Sequence, residues 1–255
     1  MSVYVPPQHG AWAFLALPLV LGAVLAPWTP LLVVLAVVWV AAYPLSFAAF
    51  GLVRAKRPRR FRAPFLMWSA VVLPTAVVLL VGRPWLVWVG LGYAVLFAVN
   101  LRYARNNDER ALANDVVFVV ECAAMVAVTW AVGAGSRSWA PPGLDAVPTQ
   151  VWVLVAVCAL VLLGSTLHVK SLIRERRDPR FARASRVLAV ASVPVSVALG
   201  AWWGWPSGAW LIAPFVVLAV RAFLVPRRPL RPGAIGMIEL GCFLLVAAAS
   251  VLASW

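Results

Sequence analysis

Apolar runs about as long as a bilayer is thick fill most of this sequence, and polar residues crowd into the gaps between them. The runs are approximately Ala11–Pro27, Pro30–Gly51, Pro64–Val81, Trp85–Val99, Asn114–Gly133, Val151–His168, Val187–Trp203, Ala209–Leu224 and Ile235–Trp255. A membrane helix needs about 20 mainly apolar residues, with a range of about 17–25. The pattern therefore predicts an all-α, polytopic transmembrane bundle of about nine spans. The fourth and eighth runs are short and need tilt or flanking residues to complete them. One integral membrane domain covering residues 1–255 is expected.

The gaps alternate in character. After runs two, four, six and eight come Arg54–Arg62, Arg102–Arg110, Lys170–Arg186 and Arg221–Arg231, with 6, 3, 7 and 4 basic residues. The other connections are Pro27–Thr29, Gly82–Pro84, Ala134–Gln150 and Gly204–Gly208, and they hold only Arg83 and Arg137. Positive charge marks cytoplasmic loops, so the N-terminus is expected inside and the C-terminus outside. Of the eight acidic residues only Asp145 falls in an outer connection. Any chemistry is therefore expected at the inner face. Residues 1–10 carry no Lys or Arg, which argues for a retained first helix over a cleaved signal peptide.

Composition agrees with a lipid environment. The chain of 255 residues is 64% hydrophobic and 12% charged, with 14 Trp, a residue enriched at membrane interfaces. Mean hydropathy is +0.94. The formal charge of +14 would suit nucleic acid if it formed one patch. Its division among inter-helix loops points to topology and anionic lipid headgroups instead, with no nucleic-acid partner. Cys122, Cys158 and Cys242 lie in apolar runs without a C-x-x-C pair, so neither a disulfide framework nor a zinc site is indicated.

Three stretches could carry chemistry. In Asn100–Asp115 there is no Pro or Gly, so a helix could continue through it. Asn100, Asn107, Asn114 and Glu121 are spaced by seven, as are Asp108 and Asp115, which predicts a polar stripe descending into the membrane. Such carboxylates and amides can hold Mg²⁺ with a diphosphate. Glu121 would lie inside a span, where a carboxylate is costly unless paired, hydrated or protonated; Glu239 is similar, near the inner end of the ninth run. In Gly164–Arg180, helical spacing puts His168, Ser171 and Glu175 on one face and Lys170, Arg174 and Arg177 on another, with Asp178 close by. Arg and Lys together suit phosphate. At the mouth of the first run stand Gln8 and His9, the latter able to donate to phosphate or shuttle a proton. Pro44, Pro74, Pro194 and Pro214 can kink their helices. No P-loop, zinc-protease, nucleophile-elbow or GxGxxG pattern is present.

The segments QHGAWA (residues 8–13), ARNNDERALAND (104–115) and STLHVKSLIRERRDPR (165–180), with the closing Arg221, Gly236 and Glu239, resemble the YwiC-like family of bacterial membrane proteins. The family implies a membrane protein and no particular activity. In topology and chemistry the chain is also similar to UbiA-type prenyltransferases, whose Asp-rich inner loops bind Mg²⁺-diphosphate. Their motif N-D-x-x-D-x-x-x-D is matched by Asn107, Asp108 and Asp115, with Ala111 replacing the middle Asp; Glu175 and Asp178 stand where paired acids follow helix six. The motif here follows the fourth run rather than the second, and the loop after the second has no acid.

That resemblance implies a bacterial inner-membrane protein binding a prenyl or lipid-linked diphosphate. Asp108, Asp115, Glu175 and Asp178 would hold Mg²⁺. Lys170, Arg174, Arg105, Asn107 and Asn114 would hold the phosphates. His9, His168 and Glu121 would serve proton transfer or acceptor orientation. The alternative is a small-solute or proton-coupled transporter lined by Glu121 and Glu239. The topology is directly testable. Single cysteines at positions 56, 105 and 176 should react with an impermeant maleimide only from the cytoplasm, and one at position 139 only from the other side.

Overall fold

The computed structural model describes residues 3–6, 9–227 and 230–255, and the backbone but not the side chain of His9. Lipid offers a backbone no hydrogen-bond partners, so apolar runs of this length must satisfy their amides internally as helices. They do so as α1 (His9–Leu25), α2 (Pro30–Arg54), α3 (Arg62–Gly82), α4 (Leu86–Arg105), α5 (Leu112–Ala134), α6 (Thr149–Val169), α7 (Pro179–Trp203), α8 (Ile212–Leu224) and α9 (Pro232–Ala253). No strand occurs among the described residues. Eight of these helices, with their flanking turns, are long and apolar enough to cross a membrane, and α1 is a shorter apolar helix. The chain is a multi-pass membrane protein.

Helix starts follow local chemistry. Proline, which lacks an N–H and has a preset φ, opens α2, α7 and α9. Asp178 caps α7 by accepting from the Arg180 amide at 2.8 Å. This cap starts α7 at Pro179, well ahead of the apolar run that begins at Val187. The short eighth run is completed by the 3-10 turn Ser207–Leu211 before α8.

The fold comprises two compact units, Met1–Val147 and Pro148–Trp255. In the first, α5 is the most deeply packed helix, burying Cys122, Val126 and Val132 completely. α3 is its opposite: it buries only Pro64 and Leu79 and exposes Leu66, Leu73 and Val77 to lipid. At one end of this unit the connections after α2 and α4 meet, because Arg54 forms an ion pair with Glu109. At the other end those after α3 and α5 meet: the Trp85 amide donates to Ser138 O at 3.0 Å, and Trp88 Nε1 donates to Trp139 O at 3.1 Å. The basic connections thus share one end of the unit, and exposed Trp28, Trp88 and Trp139 mark the poorly charged connections.

In the second unit Trp203 Nε1 donates to Ala253 O at 2.9 Å, tying the end of α7 to the end of α9. Gly200 and Gly208 let α7 approach the turn before α8 backbone to backbone; a Cβ on Gly208 would collide with Gly200 O.

Packing of α1 on α5 depends on one missing side chain. A Cβ at Gly22 would lie 2.5 Å from both Thr129 Cβ and the Val126 carbonyl oxygen, whereas Gly90 on α4 faces open space. Gly22→Ala should force the helices apart at a cost of about 1–3 kcal/mol, read as a lowered thermal midpoint in detergent. Gly90→Ala should leave that midpoint unchanged.

Candidate functional site

The connection between α4 and α5 does not continue as helix. α4 stops at Arg105, and Asn107 adopts φ 56°, the left-handed conformation that Asn tolerates better than most residues. Asp108 N donates to Tyr103 O at 2.9 Å and Asn107 N to Ala104 O at 3.2 Å, the paired bonds of a Schellman motif. The polar stripe expected from sevenfold spacing is therefore broken. Arg105, Asn107 and Asp108 are exposed on the turn, while Asn114 and Asp115 lie half-buried in the first turns of α5. Asn114 Nδ2 donates to Glu109 O at 3.0 Å, bracing the turn. One pair from that stripe does meet, across two helices rather than along one. Asn100 Nδ2 on α4 donates to Glu121 Oε1 on α5 at 2.7 Å, both residues buried. Tyr93 adds a bond from its hydroxyl to Glu121 O at 2.6 Å.

Beside this lies a feature that the sequence pattern expresses only as topogenic charge. The segment between α2 and α3 folds through the 3-10 turn Pro58–Phe61. It borders an open cavity of about 520 Å³ lined by Arg54, Ala55, Lys56, Arg57, Arg60 and Phe61. None of these residues is acidic. Phe61 is buried, its ring edge-on to Phe47 and under the Arg60 guanidinium at 4.9 Å. Arg54 is turned toward Glu109 by their ion pair. The result is a cationic bowl with an apolar floor at the end of two spans.

In the second unit α6 passes into a π-helical turn, Lys170–Arg174. The wider turn undoes the faces expected for a regular helix: Lys170 is buried while Arg174 points to solvent. Ser171 Oγ donates to His168 O at 2.7 Å. Glu175 ends the turn half-exposed, and Asp178 is occupied as the cap of α7. His168 is fully buried, with Nδ1 3.4 Å from Ser185 Oγ on α7. Arg221 on α8 and Glu239 on α9, both buried, form an ion pair with Nη1–Oε2 at 2.5 Å. Hydropathy alone puts Arg221 at the start of an inner loop, and it gives no prominence to Ser165, Ser185 or Tyr93. A signal for the ion pair does exist in the sequence: residues equidistant from the turn of an antiparallel helical hairpin face one another, and Arg221 and Glu239 stand in that relation.

Within each unit, no three described His, Cys, Asp or Glu side chains gather as a metal cage. Removing one partner of a buried ion pair leaves an unpaired charge and costs about 3–5 kcal/mol, whereas replacing both with apolar residues is often neutral or better. Arg221→Met should accordingly collapse the yield of folded protein, and Arg221→Met with Glu239→Leu should restore much of it, as read by size-exclusion profile and thermal midpoint.

Known proteins share this sequence over most of its length. The profile of the YwiC-like protein family matches residues 5–130, which lie wholly in the first unit and include the basic bowl and the Asn100–Glu121 pair. A Bacillus subtilis (strain 168) protein described as uncharacterized protein YwiC is 31% identical over 257 residues, covering 96% of each chain. A Haemophilus influenzae protein described as uncharacterized is 26% identical over 246 residues, covering 94% of this chain and 93% of its own. No solved structure matches. The similarity to the Bacillus protein runs nearly end to end through both units, and the chain belongs to the YwiC-like family.

Proposed function

We propose that this protein binds the diphosphate headgroup of a prenyl or lipid-linked molecule at the cytoplasmic face of the bacterial inner membrane, with the bowl between α2 and α3 as the anion site. The observation that carries the reading is the cavity walled by Arg54, Lys56, Arg57 and Arg60 over Phe61. Guanidinium groups grip phosphate through paired hydrogen bonds, and Lys adds a point charge. The apolar floor suits the first carbons of a lipid chain, and the bowl sits at the end of α2 and the start of α3, where two apolar spans stop. Glu109 supports the site by orienting Arg54.

Mg²⁺ is usually held by one or two carboxylates together with substrate phosphates. Within either unit the carboxylates offer no more than that. In this reading the cations do most of the phosphate binding, and Asp108 or Asp115 on the neighbouring turn would at most complete the shell of a metal arriving with the diphosphate. Prenyl transfer follows if an acceptor reaches the bound headgroup, since positive charge stabilises a departing diphosphate. Arg105, exposed at the end of α4 in the same unit, would add a further cation.

Farnesyl diphosphate should bind the purified protein saturably in the presence of Mg²⁺. Arg57→Gln with Arg60→Gln should weaken binding about tenfold, a loss of about 1.4 kcal/mol, while Arg137→Gln, in the long connection after α5, should not. Unchanged affinity in the double variant would sink the proposal. Repeating the titration with EDTA separates a metal-assisted site from a purely cationic one.

A further inference from the structure

The cluster in the second unit has polar atoms that the protein itself does not satisfy. Ser165 and His168 on α6, Ser185 on α7, Arg221 on α8 and Glu239 on α9 are all at least nine-tenths buried. Arg221 spends Nη1 on Glu239 Oε2. The Ser165 hydroxyl sits beside the Glu239 carboxylate without closing a full hydrogen bond, and His168 lies within reach of the Arg221 charge. Arg221 Nε, Glu239 Oε1 and His168 Nε2 are left without partners. A buried polar group left unmade costs about 1–3 kcal/mol, so a merely structural ion pair has no reason to carry three. A second, independent feature adjoins them. The π-helical turn Lys170–Arg174 begins two residues after His168 and draws Lys170 into the interior. Turns of this kind are rare and concentrate at functional sites.

The unpaired atoms define what would fit. Arg221 Nε–H can only donate and Glu239 Oε1, in its ion pair, can only accept. His168 Nε2 does one or the other, according to whether Nδ1 donates to or accepts from the Ser185 hydroxyl. An anion would satisfy the arginine and be repelled by Glu239. A metal cation would satisfy Glu239 and be repelled by Arg221. A hydroxyl oxygen both donates and accepts, and it carries no charge into an apolar span. We propose that this cluster binds one hydroxylic group, either a resident water or the hydroxyl of an alcohol ligand, between Arg221, Glu239 and His168. The inference is independent of the diphosphate reading, which concerns the first unit.

The chain has only two histidines, His9 and His168. Nitrogen-15 histidine labelling of the full-length protein in nanodiscs therefore reports on the cluster directly, and His9→Gln assigns the signals. A resident water gives a cross-peak between Nε2–H and water, or displaces an Nε2 that accepts a water proton from the free-imidazole position. An alcohol ligand abolishes the water signature and shifts Nε2 when farnesol is added. Either result supports the proposal, and persistence of the water signature under farnesol identifies water as the occupant. Glu239→Gln should move the Nε2 signal, whereas Cys158→Ala, buried farther along α6, should not. An Nε2 at its free-imidazole position, without water exchange and indifferent to farnesol, would overturn the proposal. The spectrum of the unsubstituted chain already separates these outcomes should any variant fail to fold.

Discussion

Lipid hydrates nothing, so a polar side chain carried into a span must find its partner in the protein. Two such pairings pin this structure. Asn100 meets Glu121 between α4 and α5, and Arg221 meets Glu239 between α8 and α9. Each joins consecutive antiparallel helices, a turn or two in from the connection that links them. Each therefore sets the register of a hairpin whose remaining contacts, between interchangeable Val, Leu and Ala side chains, specify register only weakly. The pairings also decide where chemistry is possible, because they hold the basic ends of their hairpins in fixed positions.

The spans are legible in the sequence because the demand for about 20 apolar residues leaves little freedom, and every predicted run corresponds to a helix. The exceptions have local causes. α7 begins at Pro179 because Asp178 caps it, and Arg180, Arg183 and Arg186 conceal that start from an argument based on hydropathy. The sevenfold stripe fails at Asn107, since a single left-handed residue ends α4 whatever the propensities around it. The faces expected for residues 168–177 fail because a π-helical turn changes the residue spacing, and nothing in the sequence announces one.

The pairs themselves are half legible. Glu121 and Glu239 stand out as carboxylates inside spans, but their partners do not, because periodicity along one helix says nothing about contact between two. Asn100 and Glu121 are 21 residues apart, and Arg221 and Glu239 are 18 apart. In each case the connecting turn lies midway. Reflecting polar positions across a predicted helical hairpin would propose both pairs without a structure. The bowl at Arg54–Phe61 shows in the sequence only as excess positive charge, because its wall is built by a 3-10 turn and its floor by Phe61 folding inward.

The two polar regions differ in a way that bears on what each can do. Around the bowl the cations are exposed, so their attraction is screened and individually weak; they act by number and by the shape that holds them together. Arg221 and Glu239 instead match one cation with one anion, both buried, where each charge is strongly felt. A site of the first kind suits a multiply charged group that arrives from water or slides in from the headgroup layer. A site of the second kind rejects net charge and selects by hydrogen-bond pattern. The bowl on the α2–α3 connection has the exposed, many-cation character, and the Arg221–Glu239 pair between α8 and α9 has the buried, charge-balanced one.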